Sequence, residues 1–410
     1  GLAAGELLHR CLPAELDHAA HAMRHRLLLV SCALASNFPD LDLITTGLLP
    51  APLGYLLNHR GHTHTLLYAI PQALLLCALL WLLWPSARGL LRASKPARLG
   101  LALSVTIGFV LHLAMDLLNS YGLHPLYPFD ARWLYGDTIF ILEPMFWIGF
   151  GVPLEMMVRR PAVRTALLAL LLFVPVFFTV KGFLSWYSLV WLLALSAGLA
   201  ALQYKVRQAS GTRALAGLLA AFVTLGSFIA IQTGASHAAR LAVQRASLAS
   251  DPGSQFLDAA MSAFPSNPAC WSFVSVAKNE RAGSYRLQRG ILSLLPSLMP
   301  VAACPAALID DAAQKPLTRD SAAIVLQATQ QGSLARLRRL DQENCHFAAW
   351  MRFARMPVLE PDQASDARFD NGLRQNFSTL RFEDFKERLC SPHIAQWGKP
   401  RLDLLDPAAP

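Results

Sequence analysis

The sequence has few charged residues, which make up 15% of its 410 positions. A soluble globular domain usually contains about 25%, so an ordinary soluble enzyme of this length is excluded. The deficit is uneven, because residues 1–234 contain only 26 of the 63 charged side chains and residues 235–410 contain 37. We therefore predict a membrane-embedded part at 1–234 and a soluble α+β domain at 235–410.

Motifs of several other protein classes are also absent. The chain has no Walker motif, no glycine-rich dinucleotide-binding loop and no internal repeat. Its net charge is +9, of which +6 lies in residues 1–234, where basic side chains commonly mark cytoplasmic loops. Residues 235–410 contain 20 basic and 17 acidic side chains and no basic stripe among aromatic residues. We therefore predict no nucleic-acid partner.

Long apolar runs dominate the first part of the chain. Since a helix needs roughly 20 apolar residues to cross a bilayer, six segments are predicted to span it: 65–87, 99–118, 138–158, 165–180, 183–204 and 214–233. Residues 26–38 are apolar but too short to span alone, and 1–8 resemble the end of a helix. The chain starts with Gly, so we expect a short or truncated helical hairpin at the N-terminus.

Basic residues of the membrane part fall mostly in alternate loops. Thirteen lie in the stretches 9–26, 85–98, 159–164 and 205–213, whereas the opposite loops contain only Arg60, Arg132 and Lys181. By the positive-inside rule, residues 39–64, 119–137 and 235–410 are predicted to lie outside the cytoplasm.

The C-terminal part has patterns of a mixed α and β domain. Alternation at 271–277 and 284–287, separated by the polar turn KNERAG, predicts a hairpin, and 321–339 and 344–355 are predicted helices. Cys270, Cys304, Cys345 and Cys390 allow up to two disulfides in three full connectivities; buried free thiols are the alternative.

Acids and histidines of the membrane part gather on the predicted outer side. The chain places Asp40 and Asp42 after a proline, and His112 and Asp116 at i and i+4 on one helix face. A rise of about 1.5 Å per residue puts His112 about 20 Å and Asp116 about 26 Å from Leu99, level with the run His59-Arg60-Gly61-His62-Thr63-His64. Ionisable groups at membrane depth are costly unless paired or functional.

Imidazoles and carboxylates together suit zinc, manganese or iron. We predict a site for one or two divalent ions, zinc foremost, in which bound water becomes a nucleophile near neutral pH and Arg60 holds an anionic group. Taken alone, the His-x-x-x-Asp pair is also explained by an interhelical hydrogen bond, and the aspartates by helix caps. The predicted ligands are Asp40, Asp42, His59, His64, His112 and Asp116. The predicted outer shell is His62, Asp137 and Glu143, with a position facing the interface as the alternative for His62 and structural pairing as the alternative for Asp137 and Glu143.

These motifs, in this order, resemble the YdjM/YbcI-type membrane-bound metal-dependent hydrolases, inner-membrane proteins associated with LexA. The resemblance covers roughly residues 1–160 and extends to Tyr135-Gly136-Asp137 and Ile141-Leu142-Glu143-Pro144. It is fainter at Pro265-Ser266-Asn267-Pro268 and Cys270-Trp271, which are similar to the extra-membrane domain of longer members. The order of the His, Asp and His-x-x-x-Asp motifs is also similar, more loosely, to that of zinc-dependent phospholipase C enzymes. The family usually has a histidine in its first helix, before the point where this chain begins, and an Asp is common at the position of Glu143.

The resemblance implies that Asp40, Asp42, His59, His64, His112 and Asp116 are ligand or catalytic positions, and that LexA is a partner. Together with the residues, it predicts a bacterial inner-membrane hydrolase with a periplasmic C-terminal domain. We assign catalysis to Arg60, His64 and Asp116, with membrane lipids as partners and a lipid or phosphoester as substrate. The alternatives are a transporter or metal-permeation protein, and a non-catalytic envelope-assembly protein. Transporters more often place polar groups near the midplane, whereas these lie on one side.

Overall fold

A computed structural model describes residues 1–15, 17–206, 211–305, 318–321, 323–369 and 376–407. The chain is helical up to Ser250 and then turns mainly to strands. The helices of the first part are α1 (Leu2–Cys11), α2 (His18–Ala35), α3 (Leu53–Asn58), α4 (Leu66–Leu83), α5 (Pro85–Ala93), α6 (Lys95–Leu117), α7 (Pro144–Met156), α8 (Pro161–Val180), α9 (Trp186–Val206) and α10 (Ala216–Ser250).

Six helical segments among the described residues are long and apolar enough to cross a membrane, which confirms the predicted multi-pass class. They are His18–Leu48, Leu66–Leu83, Lys95–Leu117, Pro161–Val180, Trp186–Val206 and Arg213–Ser250. The set differs from the predicted one at two places. The predicted span 138–158 is a helix of only 13 residues, α7, because residues 138–143 form a loop with a turn and the helix begins at Pro144, after the cap residue Glu143. The stretch 26–38, which is too short to cross the membrane alone, is part of the longer segment that begins at His18.

The C-terminal part is built on antiparallel sheets. Five strands pair in the order β1-β2-β3-β5-β4, and three shorter strands pair in the order β6-β7-β8. The strands are β1 (Gln255–Phe264), β2 (Asn267–Asn279), β3 (Ser284–Ser293), β4 (Thr318–Ser321), β5 (Ile324–Ser333), β6 (Pro357–Leu359), β7 (Gln363–Asp366) and β8 (Leu380–Arg381). The helices of this part are α11 (Leu334–Glu343), α12 (Cys345–Trp350) and α13 (Leu402–Leu405).

The predicted hairpin is confirmed, because β2 pairs with β3 across the polar turn. The predicted helix at 321–339 is wrong in its first half, since residues 324–333 form β5 and only Leu334 onward is helical. The reason is that β5 pairs with β3 along nearly its whole length. Ser333 then caps α11 by accepting a hydrogen bond from the Arg336 backbone.

One long helix connects the two parts. At about 1.5 Å per residue, the 35 residues of α10 extend for about 50 Å, packing on α7 and α9 and then on β1 and β2. The division at residues 234 and 235 that composition predicts lies within this helix and stays a prediction. A shared core also joins the parts: Leu53, Leu56 and Tyr121 belong to one cluster of buried side chains with Phe347 and Trp350.

The cysteines divide between the two parts. Cys270 bonds to Cys304 and Cys345 bonds to Cys390, which selects one of the three open connectivities. Cys11, Cys32 and Cys77 of the membrane part are free thiols.

Candidate metal centre

Four short segments bring the predicted ligands together. Asp40 and Asp42 lie in a 3₁₀ helix, Pro39–Leu48, that continues α2 after a proline at its first position. His59 follows α3 as its cap residue, and His64 ends a second 3₁₀ turn, His62–His64, one residue before α4. His112 and Asp116 lie one turn apart near the end of α6. The predicted convergence of three separate motifs is thus seen in the fold.

Four of these side chains direct one atom each at a common point. The Nε2 atoms of His64 and His112 are 3.0 Å apart. The Asp116 Oδ2 atom lies 3.2 Å from His64 Nε2 and 3.5 Å from His112 Nε2. The Asp40 Oδ1 atom lies 3.4 Å and 3.6 Å from the same two nitrogens. We call this set, Asp40, His64, His112 and Asp116, the four-ligand cluster.

The spacing of the cluster fits a tetrahedral ion. Four ligand atoms at about 2.0–2.1 Å from one zinc ion are about 3.3 Å from one another, close to the distances of 3.0 to 3.6 Å measured here. Asp116 Oδ2 is buried and accepts no hydrogen bond from any residue that the structure describes. A buried polar atom without a partner is costly, and a cation at the common point would satisfy it.

The far nitrogen of each imidazole is held by an acceptor. His112 Nδ1 lies 2.9 Å from the carbonyl oxygen of Ser36, which accepts only, so Nδ1 donates. His64 Nδ1 lies 3.2 Å from Asp42 Oδ2. In the neutral rings both Nε2 lone pairs then face the cluster, and such support of the second nitrogen is typical of metal-binding histidines.

A proton on His64 is the alternative positive charge that this cluster can hold. Burial alone would lower the pKa of the His64 imidazole, but the carboxylates of Asp116, Asp40 and Asp42, to which a protonated ring would donate hydrogen bonds, raise it to about 10. The surroundings therefore favour a cation at this point, and a divalent ion would have to displace that proton.

Comparison with known proteins agrees with the motifs. The first 187 residues match the family model described as YdjM inner membrane protein. We call these matched residues, 1–187, the YdjM-family part. The chain is also 29% identical over 127 residues to the "Uncharacterized protein YfhP" of Bacillus subtilis (strain 168), an alignment that covers 31% of this chain and 35% of that relative. No solved structure matches. The resemblance inferred from the motifs is confirmed for this part of the chain.

Asp42 in the YdjM-family part lies behind the cluster. Its Oδ1 atom is 3.0 Å from His59 Nδ1. Its Oδ2 atom accepts hydrogen bonds from the backbone of Arg60 and from the Thr63 hydroxyl at 3.0 Å and 2.7 Å. With His64 Nδ1, four donors surround one carboxylate whose side chain is 1% exposed. This geometry is typical of a carboxylate that orients ligands.

Asp42 and His59 also form a second group with Asp40 whose ligand atoms lie within 4.8 Å of one another. Asp40 is therefore shared between two groups of potential ligands. In the first group the Nε2 atoms of His64 and His112 contact each other and the two carboxylates of the same group. In the second, Asp42 Oδ1 is 3.0 Å from His59 Nδ1.

Arg60 is paired within the site. Its Nη2 atom lies 2.9 Å from Asp116 Oδ1, and its Nη1 donates to Asn119 Oδ1 at 3.1 Å. The guanidinium lies 4.8 Å from the centre of the Tyr121 ring, an arrangement that suits a cation–π contact. Its side chain is 8% exposed. Arg60 thus contacts a predicted ligand, and its backbone has a positive φ of 55°.

Three residues predicted for the outer shell lie in other surroundings. The His62 ring packs near Tyr68, Tyr127 and Trp397, with centroids 5.3 to 5.5 Å away. Asp137 pairs with Arg355 and Arg240. The Glu143 carboxylate accepts hydrogen bonds from the Ser266 hydroxyl and backbone, and burial raises the pKa of Glu143.

Other residues support the site without having been predicted. They are Ser36 and Thr63, which contact the ligands or Asp42, and Asn119 and Tyr121, which contact Arg60. Ser36 contacts His112 through its backbone carbonyl oxygen, so the identity of its side chain could not indicate this contact. Asn119 lies three residues after Asp116 and was the one polar neighbour that helical spacing could have indicated.

The C-terminal domain lies against the site. Arg368 donates to the carbonyl oxygens of Ser120 and Tyr121, directly after α6, at 2.9 Å and 3.0 Å. The Phe377 ring lies 5.4 Å from Tyr55, whose own ring lies 5.0 Å from His59. The four-ligand cluster is therefore on the side of the membrane part that this domain covers.

Proposed function

We propose that the YdjM-family part is a membrane-bound, metal-dependent hydrolase. The observation that carries this proposal is the four-ligand cluster, in which two imidazole nitrogens and two carboxylate oxygens face one point and both imidazoles are supported from behind. A divalent ion there would supply Lewis-acid polarisation and a water-derived nucleophile near neutral pH, with the water as a fifth ligand, an expansion that zinc allows. Zinc is the expected metal, because two nitrogen and two oxygen ligands at tetrahedral spacing suit it.

Different residues of the chain would hold the ion and orient its ligands. Asp40, His64, His112 and Asp116 hold the ion, and Asp42 keeps the His64 ring in place. Arg60 positions Asp116 through its ion pair. In the reaction one water is consumed: its hydroxyl joins the carbonyl carbon or phosphorus of the substrate, the ester bond breaks, and the proton goes to the leaving oxygen.

We further propose that the site and the C-terminal domain lie on the periplasmic side of a bacterial inner membrane. Disulfides persist in oxidising compartments, and both disulfides lie in the C-terminal domain. The loops on the opposite side carry most of the basic residues of the membrane part. The domain contacts the site directly, so the two share a side; the chain returns to that side because the short helix α7 crosses as well, between α6 and α8.

Metal content tests the enzyme proposal. Protein purified in detergent should contain about one equivalent of divalent metal, and His112→Ala or Asp116→Ala should remove it. Asp130→Ala is the matched control, since that carboxylate pairs with Arg132 and lies outside the cluster. Metal-dependent hydrolysis of chromogenic ester and phosphodiester substrates should be lost in the same two variants. Wild type without metal would contradict the proposal, and metal retained in both variants would contradict the ligand assignment.

Thiol labelling in whole cells tests the orientation. Glu383→Cys lies on an exposed turn of the C-terminal domain, and Arg160→Cys lies in an exposed loop between α7 and α8. In a background with the three free cysteines replaced by Ser, an impermeant maleimide should label the first variant and not the second. Labelling of Arg160→Cys alone would reverse the proposed orientation.

A further inference from the structure

An apolar cavity of about 700 Å³ lies beside the four-ligand cluster. Its volume falls within the range of about 300–1,000 Å³ that is common for small-molecule sites. Residues of α1, α2, α6, α7 and α10 line it, among them Leu2, Leu111, Phe146, Leu154 and Phe222. The walls are therefore built from transmembrane helices together with the shorter helices α1 and α7.

One end of this cavity is polar. Asp40, His112 and Asp116 line it as well, whereas His64 does not. Exposure follows the same order: the side chains of Asp40, Asp116 and His112 are 43%, 16% and 8% exposed, and that of His64 is 0%. The open face of the cluster is thus directed into the cavity, and the C-terminal domain lies against other parts of the site.

The cavity also reaches the lipid-facing surface of the protein. Met115 on α6 and Trp147 on α7 line it, and both are more than a third exposed, at 38% and 37%. Neighbouring exposed side chains such as Val110 are apolar. In a bilayer this opening faces acyl chains, so an amphiphile could enter sideways with its polar end toward the cluster.

We propose that the cavity binds the acyl chain of a membrane lipid whose ester or phosphoester head group lies at the four-ligand cluster. This inference rests on the proposed function and names the substrate class of the same site. An apolar wall that ends in a polar, ion-binding cluster matches a molecule that is apolar along its chain and polar at its end. A small water-soluble ester would leave most of the apolar wall without a partner.

Photo-crosslinking tests where the chain lies. The full protein is reconstituted in vesicles of phosphatidylethanolamine and phosphatidylglycerol, with a trace of phosphatidylglycerol that carries a diazirine in one acyl chain. Cross-links should be denser on 111–115 and 146–154 than on Leu170 and Phe173 of α8, which are exposed but lie outside the cavity. Equal density on both surfaces would overturn the proposal.

Two cavity-filling variants sharpen the test. Met115→Trp fills the opening, and Leu154→Trp fills the wall on α7, remote from the ligands. Each should lower cavity labelling several-fold, while Ala114→Trp, an exposed neighbour that does not line the cavity, should leave it unchanged. Labelling that persists in both filling variants would also overturn the inference.

Metal content measured on the same preparations separates the two proposals. His112→Ala should lose metal yet keep the cross-links, because the apolar wall remains. Wild type that lacks metal contradicts the proposed hydrolase, whereas the cross-link map alone decides where the acyl chain lies.

Discussion

Two groups of acidic residues lie where the membrane part meets the C-terminal domain, and they differ in their partners. In the four-ligand cluster, the carboxylates of Asp40 and Asp116 face imidazole nitrogens. In the second group, which we call the anchor cluster, Asp137 and Asp258 face the guanidinium groups of Arg355 and Arg240. Similar carboxylates therefore occupy two different chemical environments.

The anchor cluster satisfies its own charges. Arg355 binds both oxygens of Asp137 at 2.9 Å and 2.8 Å and also reaches Asp258 at 2.8 Å. Burial would raise the pKa of Asp258, but the guanidinium groups of Arg355, Arg401 and Arg240 lower it. In the four-ligand cluster, by contrast, Asp116 Oδ2 is without a hydrogen bond from the described residues. A buried carboxylate whose oxygens all accept hydrogen bonds from guanidinium groups indicates a structural contact. A carboxylate oxygen that lacks a donor and faces the lone pairs of imidazole nitrogens indicates a place for a cation.

The largest effect is expected from Arg355→Met in the anchor cluster. This change leaves Asp137 and Asp258 buried without their main partner, and breaking such a pair costs about 3–5 kcal/mol in the free energy of unfolding. The midpoint of thermal unfolding in detergent should fall steeply. Arg132→Met, which removes an exposed partner of Asp130, should leave the midpoint unchanged. Equal midpoints for the two variants would contradict the structural role of the anchor cluster.

A smaller effect is expected from Asp42→Asn, which changes the residue behind the ligands. The amide retains the shape but loses the charge that holds the His64 ring, and loss of such an outer partner typically lowers metal affinity about 10–100-fold. Competition titration with a chromogenic chelator measures this change. The Asp116→Asn variant should bind the metal far more weakly than Asp42→Asn, and the Asp130→Asn variant should bind it as tightly as wild type. If Asp42→Asn binds as poorly as Asp116→Asn, Asp42 is itself a ligand, and the group with Asp40 and His59 holds an ion.

The sequence predicted those parts of the fold and the site that depend on local spacing. Apolar length predicted a multi-pass protein, and the i, i+4 spacing of His112 and Asp116 placed both on one helix face. The depth of His112 along its helix was enough to bring it level with His64, since neighbouring spans run in opposite directions.

Contacts between residues that are far apart in the sequence could not be predicted from local spacing. Asp137 was assigned to the outer shell because it lies on the same predicted side of the membrane as the ligands. Its partner Arg355 is 218 residues away in the sequence, and no local pattern connects the two residues. Residues 324–333 were assigned to a helix because their pairing with β3 depends on a strand about forty residues earlier. The ligand role of Asp42 was inferred from its nearness to Asp40, whereas its orientation toward four donors depends on how α3 and the following turn fold back.

The smallest effect is expected from His62→Phe, which tests how sharply the cluster distinguishes neighbouring histidines. His62 and His64 are separated by one residue, yet the His62 ring packs near Tyr68 and Trp397, while His64 faces the ligands. A phenyl ring can keep the aromatic packing of His62, so chelator competition should give a metal affinity within about twofold of wild type, well below the 10-fold loss typical of an outer-shell change. His64→Phe is the matched variant and should abolish binding, because it removes a ligand atom and the partner of Asp42. A loss in His62→Phe as large as in His64→Phe would mean that the turn His62–His64 rearranges when an ion binds, bringing His62 into the ligand set.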